Sequence, residues 1–354
     1  MINACIVGCG RISKKHINAI LSFNSRIRLV ALVDTNTSSL EESFEYFNSH
    51  PKCPNNKPKC YDDLSKLLVD FDNSCIQLDL AIICTPSGLH PKHCKLFGRK
   101  GLNVCTEKPM ATHFAEGRDL VHEFDSLPGD LFVVKQNRFN RTVTFAKSLL
   151  EQKKLGRLKM INCNVFWQRP QSYYDQAAWR GTWEFDGGAL MNQASHYVDL
   201  LTWLVGPVES VFTNLSTTRD IEVEDTASVS VRWRGGAIGS LNVTMLTYPK
   251  NLEGSLTILG EKGSIKLAGQ ALNKIDYALI EDTFYDEDVL EKINYSIDSI
   301  YGHGHEAFYA NIINHLEGNH DALCTGREGL KSLEFLTACY KSACTGGKVS
   351  LPLL

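Results

Sequence analysis

Residues 2–16 read INACIVGCGRISKKH, an apolar run, then glycines at positions 8 and 10, then a stretch whose apolar residues return at helical spacing. A strand that ends in Gly-x-Gly and passes straight into a helix is the first turn of a doubly wound, nucleotide-binding sheet. Gly8 permits the tight turn, Gly10 lets a ligand approach the backbone, and Arg11 and Ile12 complete the turn. The third glycine of the usual pattern is replaced by Ser13. That position needs only a residue small enough for the helix to pack on the sheet, so serine is tolerated. The next strand, IRLVALVD, ends in Asp34, and the TNT that follows contains no arginine. A carboxylate there accepts hydrogen bonds from ribose hydroxyls and repels a 2′-phosphate, so NAD is expected rather than NADP.

Working outward, LEESFEYFNSH reads as a helix, YDDLSKLLVD as a short helix, LDLAIICTP as a buried strand, LHPKHCKLFGRKG as a helix and NVCTEKP as a strand. A further helix and DLFVVKQNRF complete the sheet, which puts the end of this domain at residue 138. Alternating β and α segments require a parallel sheet. Ligands of such sheets lie beyond the carboxyl ends of the strands, where Thr85, Pro86, His90, Glu107 and Lys108 fall. From 139 to 354 the pattern changes. GRLKMINCNVFWQ, ESVFTNLSTTR, TASVSVRWR, AIGSLNVTMLT, GSLTILG and GSIKLAG alternate apolar and polar residues with glycine turns, as expected of an open, largely antiparallel sheet. GALMNQASHYVDLLTWLVG and a C-terminal helical pair would cover it, giving an α/β domain followed by an α+β domain.

A net charge of −3 supplies no basic field for nucleic acid, and the apolar runs are too short to span a membrane. The first strand begins almost at residue 1, which leaves no room for a secretion signal and predicts a cytoplasmic location. Many of the twelve cysteines lie inside apolar strands, where a reduced thiol behaves as a small hydrophobe. His50, Cys53 and Cys60 cluster in HPKCPNNKPKC, but this insert lacks a compact Cys-x-x-Cys pair and reads as a loop rather than a metal site.

EKP at 107–109, at the end of a sheet strand, together with GGALMNQASHYVDL in a following sheet domain, resembles the glucose-fructose oxidoreductase, inositol dehydrogenase and MocA family. The likeness runs along the whole chain. VVKQNRFN, NVFWQRPQSYYDQAAWRGTWEFDGGALMNQASHYVDLL, VTMLTYPKNLEGS and GHGH are similar to the UDP-2-acetamido-2-deoxyglucuronate 3-dehydrogenases of bacterial surface-polysaccharide pathways. The resemblance implies an N-terminal Rossmann domain with NAD, and oxidation of a UDP-sugar at its 3-hydroxyl to supply a later aminotransferase. It also implies a homotetramer packed through the open sheets, and in-place reoxidation of the reduced cofactor by 2-oxoglutarate. Another NAD-dependent sugar or polyol dehydrogenase of the same family, and a non-catalytic NAD-binding regulator, stand as the alternatives.

Oxidising a secondary alcohol requires a base for the hydroxyl proton and a group to stabilise the developing oxyanion. Lys108, beside a strand terminus and followed by Pro109, supplies a point charge. His196 is read on a helix with Asn192 four residues earlier and Gln193 three earlier, which would set all three on one face. A lone histidine in an apolar helix is more often a satisfied core residue, but these polar neighbours and the resemblance make His196 the base, with Lys108 on the oxyanion. The opposite division remains open. The wider family often has an aspartate where this chain has Asn192, and a neutral amide cannot act as a base. Arg169, Arg180 and Lys250 are candidates for the anionic groups of the sugar, with Tyr173 and Asn251 beside them, while the resemblance implies Gln136, Trp179 and Arg180 near the cofactor. The histidines of GHGH and LHPKH suit turns and caps at least as well as a ligand.

Overall fold

The structure is a computed structural model that describes residues 1–297 and 302–353. Two compact units emerge, Met1–Val134 with His305–Leu330, and Lys135–Gly304 with Lys331–Leu354. This division differs from a single cut after residue 138. The cause is a non-local pairing: Phe132 bridges Thr325, and the Val133 amide donates to the Cys324 carbonyl at 2.8 Å, which draws the segment after 305 back to the first unit.

The first unit runs β1 (Ile2–Val7), α1 (Ser13–Ser22), β2 (Ile27–Val33), α2 (Thr37–Ser49), β3 (Lys59–Tyr61), α3 (Leu64–Asp72), β4 (Leu80–Ile83), α4 (His90–Gly98), β5 (Asn103–Thr106), α5 (Phe114–Phe124) and β6 (Leu131–Val133). Its six strands are parallel in the order β3-β2-β1-β4-β5-β6. Strands covered by helices on both faces need apolar residues at successive positions, and Leu80, Ala81, Ile82 and Ile83 are all completely buried. The sixth strand, β3, comes from the end of the insert read as loop. The sheet proper stops at Val133, and Gln136–Phe139 forms a single tight helical turn instead of continuing the strand.

The second unit contains α6 (Arg141–Glu151), β7 (Leu158–Phe166), α7 (Gln171–Tyr174), α8 (Ser195–Leu200), β8 (Val208–Ser216), β9 (Thr226–Trp233), β10 (Ile238–Thr244), β11 (Glu253–Gly260), β12 (Gly263–Ala268), β13 (Lys274–Ile280) and α9 (Glu287–Ile293). In chain order there follow α10 (Gly304–Leu316), which from His305 belongs to the first unit, α11 (Gly326–Thr345), which belongs to the second from Lys331, and β14 (Val349–Ser350) of the second. Eight strands pair in the order β13-β12-β11-β7-β10-β9-β8-β14, antiparallel except for β7 beside β10. Burial alternates along β9, as a sheet with one open face requires.

The long helix expected from Gly188 is shorter. Gly187 has φ of +78°, and the Ala189 and Leu190 amides donate to the backbone carbonyl and side chain of Glu224, so residues 188–194 form turns and regular helix begins at Ser195. Asn192 and Gln193 therefore do not share a helical face with His196.

Candidate active site

β1 and β4 lie side by side at the centre of the first sheet, where the strand order reverses. Gly8 occupies that switch point with φ of +98°, and a Cβ on it would stand 2.6 Å from the Cys84 carbonyl carbon. No other residue fits. Gly10 is exposed with nothing within 4 Å of where a Cβ would be, which leaves the backbone open to a pyrophosphate at the start of α1. Arg11 is exposed beside it and Ile12 is half-buried. Ser13, standing for the third glycine, is fully buried and donates from Oγ to the Gly10 carbonyl at 2.7 Å. Asp34 accepts from the Cys9 amide at 2.6 Å and the Asn36 amide at 2.8 Å, and remains partly exposed at the mouth of the turn. The turn and this carboxylate fit a dinucleotide with an unphosphorylated adenosine ribose.

Lys108 follows β5, half-buried, in a turn whose neighbours are tightly tied. Glu107 is 7% exposed. One of its oxygens meets His16 Nε2 at 3.0 Å and the other accepts the Lys108 amide at 3.1 Å. Burial alone would raise its pKa, but the His16 hydrogen bond and the nearby charges of His16 and Lys108 outweigh that and hold it at about 2. Each oxygen of this carboxylate, expected at the cofactor, thus has a partner within the first unit. His90 is 1% exposed, with Nδ1 2.7 Å from the Pro109 carbonyl and Nε2 2.7 Å from the Thr85 carbonyl. Thr85 and Pro86 keep partial exposure, and Thr85 Oγ1 is 3.1 Å from His93. His50 accepts from the Lys52 amide, and Lys57 reaches Cys53 Sγ, in keeping with a loop.

In the second unit His196 sits on α8, and Gln136 Nε2 is 3.3 Å from its Nε2. As placed, the amide donates there, so that imidazole nitrogen is the unprotonated one. Three residues along, Asp199 is fully buried and receives two 2.8 Å hydrogen bonds from Arg138, with Lys135 at 3.4 Å. Burial raises the Asp199 pKa, yet Lys135 and Arg138 reverse the effect and hold it below the ordinary range. Lys135 also donates to Ser332 at 2.7 Å. Sequence reasoning missed this group; its signal was the KQNR run after the last apolar strand and an aspartate one turn beyond the histidine. Asn192 donates to Asp186, and Gln193 is buried.

Five side chains between β7 and the segment before Gly181 form an alternating ladder. Arg169 lies over Trp167 and Tyr173 at 5.4 and 5.3 Å from their centroids, and Arg180 over Tyr173 and Trp179 at 4.4 and 4.7 Å. Among the described residues neither guanidinium is paired with a carboxylate. Arg169 donates to the Gln168 carbonyl at 2.6 Å, Arg180 to the Tyr173 hydroxyl at 2.6 Å, and Asn251 accepts the Gln168 amide at 2.8 Å. Arg180 and Trp179, expected at the cofactor, thus stack with the sugar-site candidates Arg169 and Tyr173. Lys250 is exposed in the adjoining loop. His303 is exposed and tilted against Tyr295, whereas His305 is buried edge-on to His16.

Residues 2–134 match the family described as "Oxidoreductase family, NAD-binding Rossmann fold", and residues 147–351 match its C-terminal alpha/beta domain. The chain belongs to this oxidoreductase family. It is an NAD-dependent oxidoreductase, built as the glucose-fructose oxidoreductase, inositol dehydrogenase and MocA proteins are. The WlbA dehydrogenase of Bordetella pertussis, solved with NADH and UDP-GlcNAcA, is 48% identical, with all of this chain and 98% of that chain covered and a TM-score of 0.92. The WlbA protein of Chromobacterium violaceum, solved with the same two ligands, is 46% identical over all of this chain and 96% of its own, with a TM-score of 0.90. A myo-inositol 2-dehydrogenase of Thermotoga maritima is 23% identical over 73% of each chain. No helix among the described residues is long and apolar enough to cross a membrane.

Proposed function

We propose that this protein oxidises the sugar 3-hydroxyl of UDP-N-acetylglucosaminuronic acid to the ketone, with NAD as acceptor, in the building of a diacetamido uronic acid for a bacterial surface polysaccharide. The observation that carries the reading is whole-chain likeness, at 48% identity, to a dehydrogenase solved with NADH and UDP-GlcNAcA. When bound, NAD supplies the hydride acceptor. Gly8, Gly10, Arg11, Ile12 and Asp34 would hold it at the end of β1, with Thr85 and Pro86 at the end of β4. His196 takes the proton of the 3-hydroxyl, and Lys108 holds the oxyanion that develops as the C–H bond breaks. Arg169 and Arg180, fixed by aromatic stacking and without carboxylate partners among the described residues, suit a substrate that brings a diphosphate and a uronate. Asn251, Lys250, Tyr173, Asn192 and Gln193 complete the proposed sugar site.

The same groups can run the reverse reaction on 2-oxoglutarate, another carboxylate-bearing substrate, with protonated His196 returning its proton as 2-hydroxyglutarate forms. The open face of the second sheet exposes Met160, Phe212 and Ile238 among hydrogen-bonded Asn and Ser side chains, and a second copy of the chain in a tetramer is its proposed cover. Free buried thiols and a nicotinamide cofactor accord with a cytoplasmic location. The test is incubation with UDP-N-acetylglucosaminuronic acid and NAD, followed by mass spectrometry. A product lighter by two hydrogens, reducible by borodeuteride at the sugar 3-position, is expected. Turnover of free polyols with none of the UDP-sugar would replace this reading with the polyol dehydrogenase.

A further inference from the structure

Lys108 has no regular structure of its own to hold it, since β5 ends at Thr106 and α5 begins only at Phe114. Its turn is held instead by two buried histidines from different helices. On one side Tyr309 of α10 lies 2.7 Å from His16 Nδ1, His16 Nε2 lies 3.0 Å from Glu107, and the other Glu107 oxygen accepts the Lys108 amide at 3.1 Å. The ring donates from Nε2 to Glu107, and the Tyr309 hydroxyl, which can donate or accept, pairs with Nδ1, so every link has a donor and an acceptor. On the other side His90 of α4 bonds the Pro109 carbonyl. His16, Tyr309 and His90 are at most 1% exposed, so each bond is shielded from water.

We infer that His16 is a positioning residue: through Glu107 it fixes the backbone from which Lys108 reaches the reacting oxygen. The inference rests on the reading of Lys108 as catalytic. Glu107 stays ionised in a buried place, and a buried carboxylate held by a single amide would turn toward other donors or take up a proton. His16 supplies the second fixed donor and aims the carboxylate. It also stands one helical turn into α1, whose first residue, Ser13, is bonded to Gly10, so the dinucleotide turn and the Lys108 turn share one rigid helix. His16, Glu107 and His305 have ligand atoms within 4.8 Å of one another and are the one group among the described residues with the composition of a metal site. A metal bound through His16 Nε2 and the facing Glu107 oxygen would displace the hydrogen bond between them.

The experiment compares His16→Leu, His16→Gln, Tyr309→Phe and Lys108→Ala in the full chain, measuring kcat, KM for the UDP-sugar, NAD affinity, thermal midpoint and metal content. His16→Leu is expected to lower kcat by about tenfold to a hundredfold, with KM and NAD affinity within about twofold, as for a misplaced catalytic group. His16→Gln, whose amide can donate to Glu107, should regain most of the loss. Tyr309→Phe, which keeps the ring packing, should lower kcat severalfold, and it decides the matter if His16→Leu does not fold. Unchanged kcat in folded His16→Leu or in Tyr309→Phe, while Lys108→Ala is inactive, overturns the positioning role and leaves Lys108 in place. Full activity in Lys108→Ala overturns both. A stoichiometric transition metal, with turnover lost to a chelator, also overturns it in favour of a metal site.

Discussion

Glu224 offers a quantitative test of how the His196 segment is held. Its carboxyl is 2% exposed, with Oε1 accepting from the Leu190 amide at 2.8 Å and the Tyr340 hydroxyl at 3.0 Å. Oε2 has no partner, and a Cβ on Gly188 would lie 1.7 Å from it. Burial raises the pKa from 4.5 to about 7, with the Leu190 amide and Tyr340 opposing. A carboxyl whose pKa is higher folded than unfolded binds its proton more tightly in the native state. Its contribution is therefore complete below pH 4.5 and is lost as pH rises through about 7. The gap between 4.5 and about 7 is worth roughly 3 kcal/mol. Glu224→Gln keeps an acceptor for Leu190 and Tyr340 but cannot ionise. Urea midpoints measured from about pH 5 to about pH 8 should fall for the unmutated protein and stay nearly level for the variant. Hydrogen exchange at the Leu190 amide, corrected for its intrinsic pH dependence, reads the same loosening locally. Parallel pH slopes in the two proteins would refute the account.

Three other outcomes are expected. NAD should bind much more tightly than NADP, and Asp34→Ala should weaken NAD by about tenfold to a hundredfold, narrowing the gap in calorimetric titration; equal binding by the unmutated protein removes Asp34 from the ribose. Lys108→Ala and His196→Asn should each lower turnover by about a hundredfold to ten-thousandfold without loss of NAD binding, and near-normal rates in His196→Asn would move the base to Lys108. Burial lowers the His305 pKa from 6.5 to about 3, so its neutral form contributes stability above pH 6.5 that is lost as acid is added toward about pH 3, roughly 5 kcal/mol in all. Acid unfolding of His305→Gln should lack that component, and identical acid profiles would mean that His305 is not held neutral.

The parallel sheet was legible because β1, β2 and β4 are apolar at nearly every position, a pattern that buried parallel strands share with little else. Three-residue β3 was not, since Lys59 and Cys60 are exposed and the segment sits in a Pro- and Asn-rich insert. The alternation in KIDYALI could have disclosed β13, whereas two-residue β14 exists only because β8 pairs with it. Gly8 was readable because the turn after β1 dictates residue type locally, with a φ of +98° and no room for a Cβ. The partners of His90 and Glu107 were not legible, for the opposite reason. Their positions at strand ends are those of ligand-binding residues, but their partners, Pro109 and His16, come from folding together segments that lie apart in sequence.

Asn192 shows how a neutral residue in an expected aspartate position changes the chemistry available. Its amide donates to Asp186, which is 1% exposed and also accepts the Gly181 amide at 2.8 Å. The nearby carboxylate thus binds two N–H donors and orients the turn that leads into α8. A base beside the substrate would instead need a lone pair directed at the hydroxyl proton, and an amide nitrogen has none to offer. Proton removal in the proposed reaction accordingly falls to His196. Asn192→Asp tests this division. If His196 works alone, the added carboxylate leaves the kinetic pKa of the base step tied to His196 and the variant's activity still vanishes in the double substitution with His196→Asn. Activity that survives in the double variant would show that the position can take over as base, and that Asn192 marks a loss of redundancy.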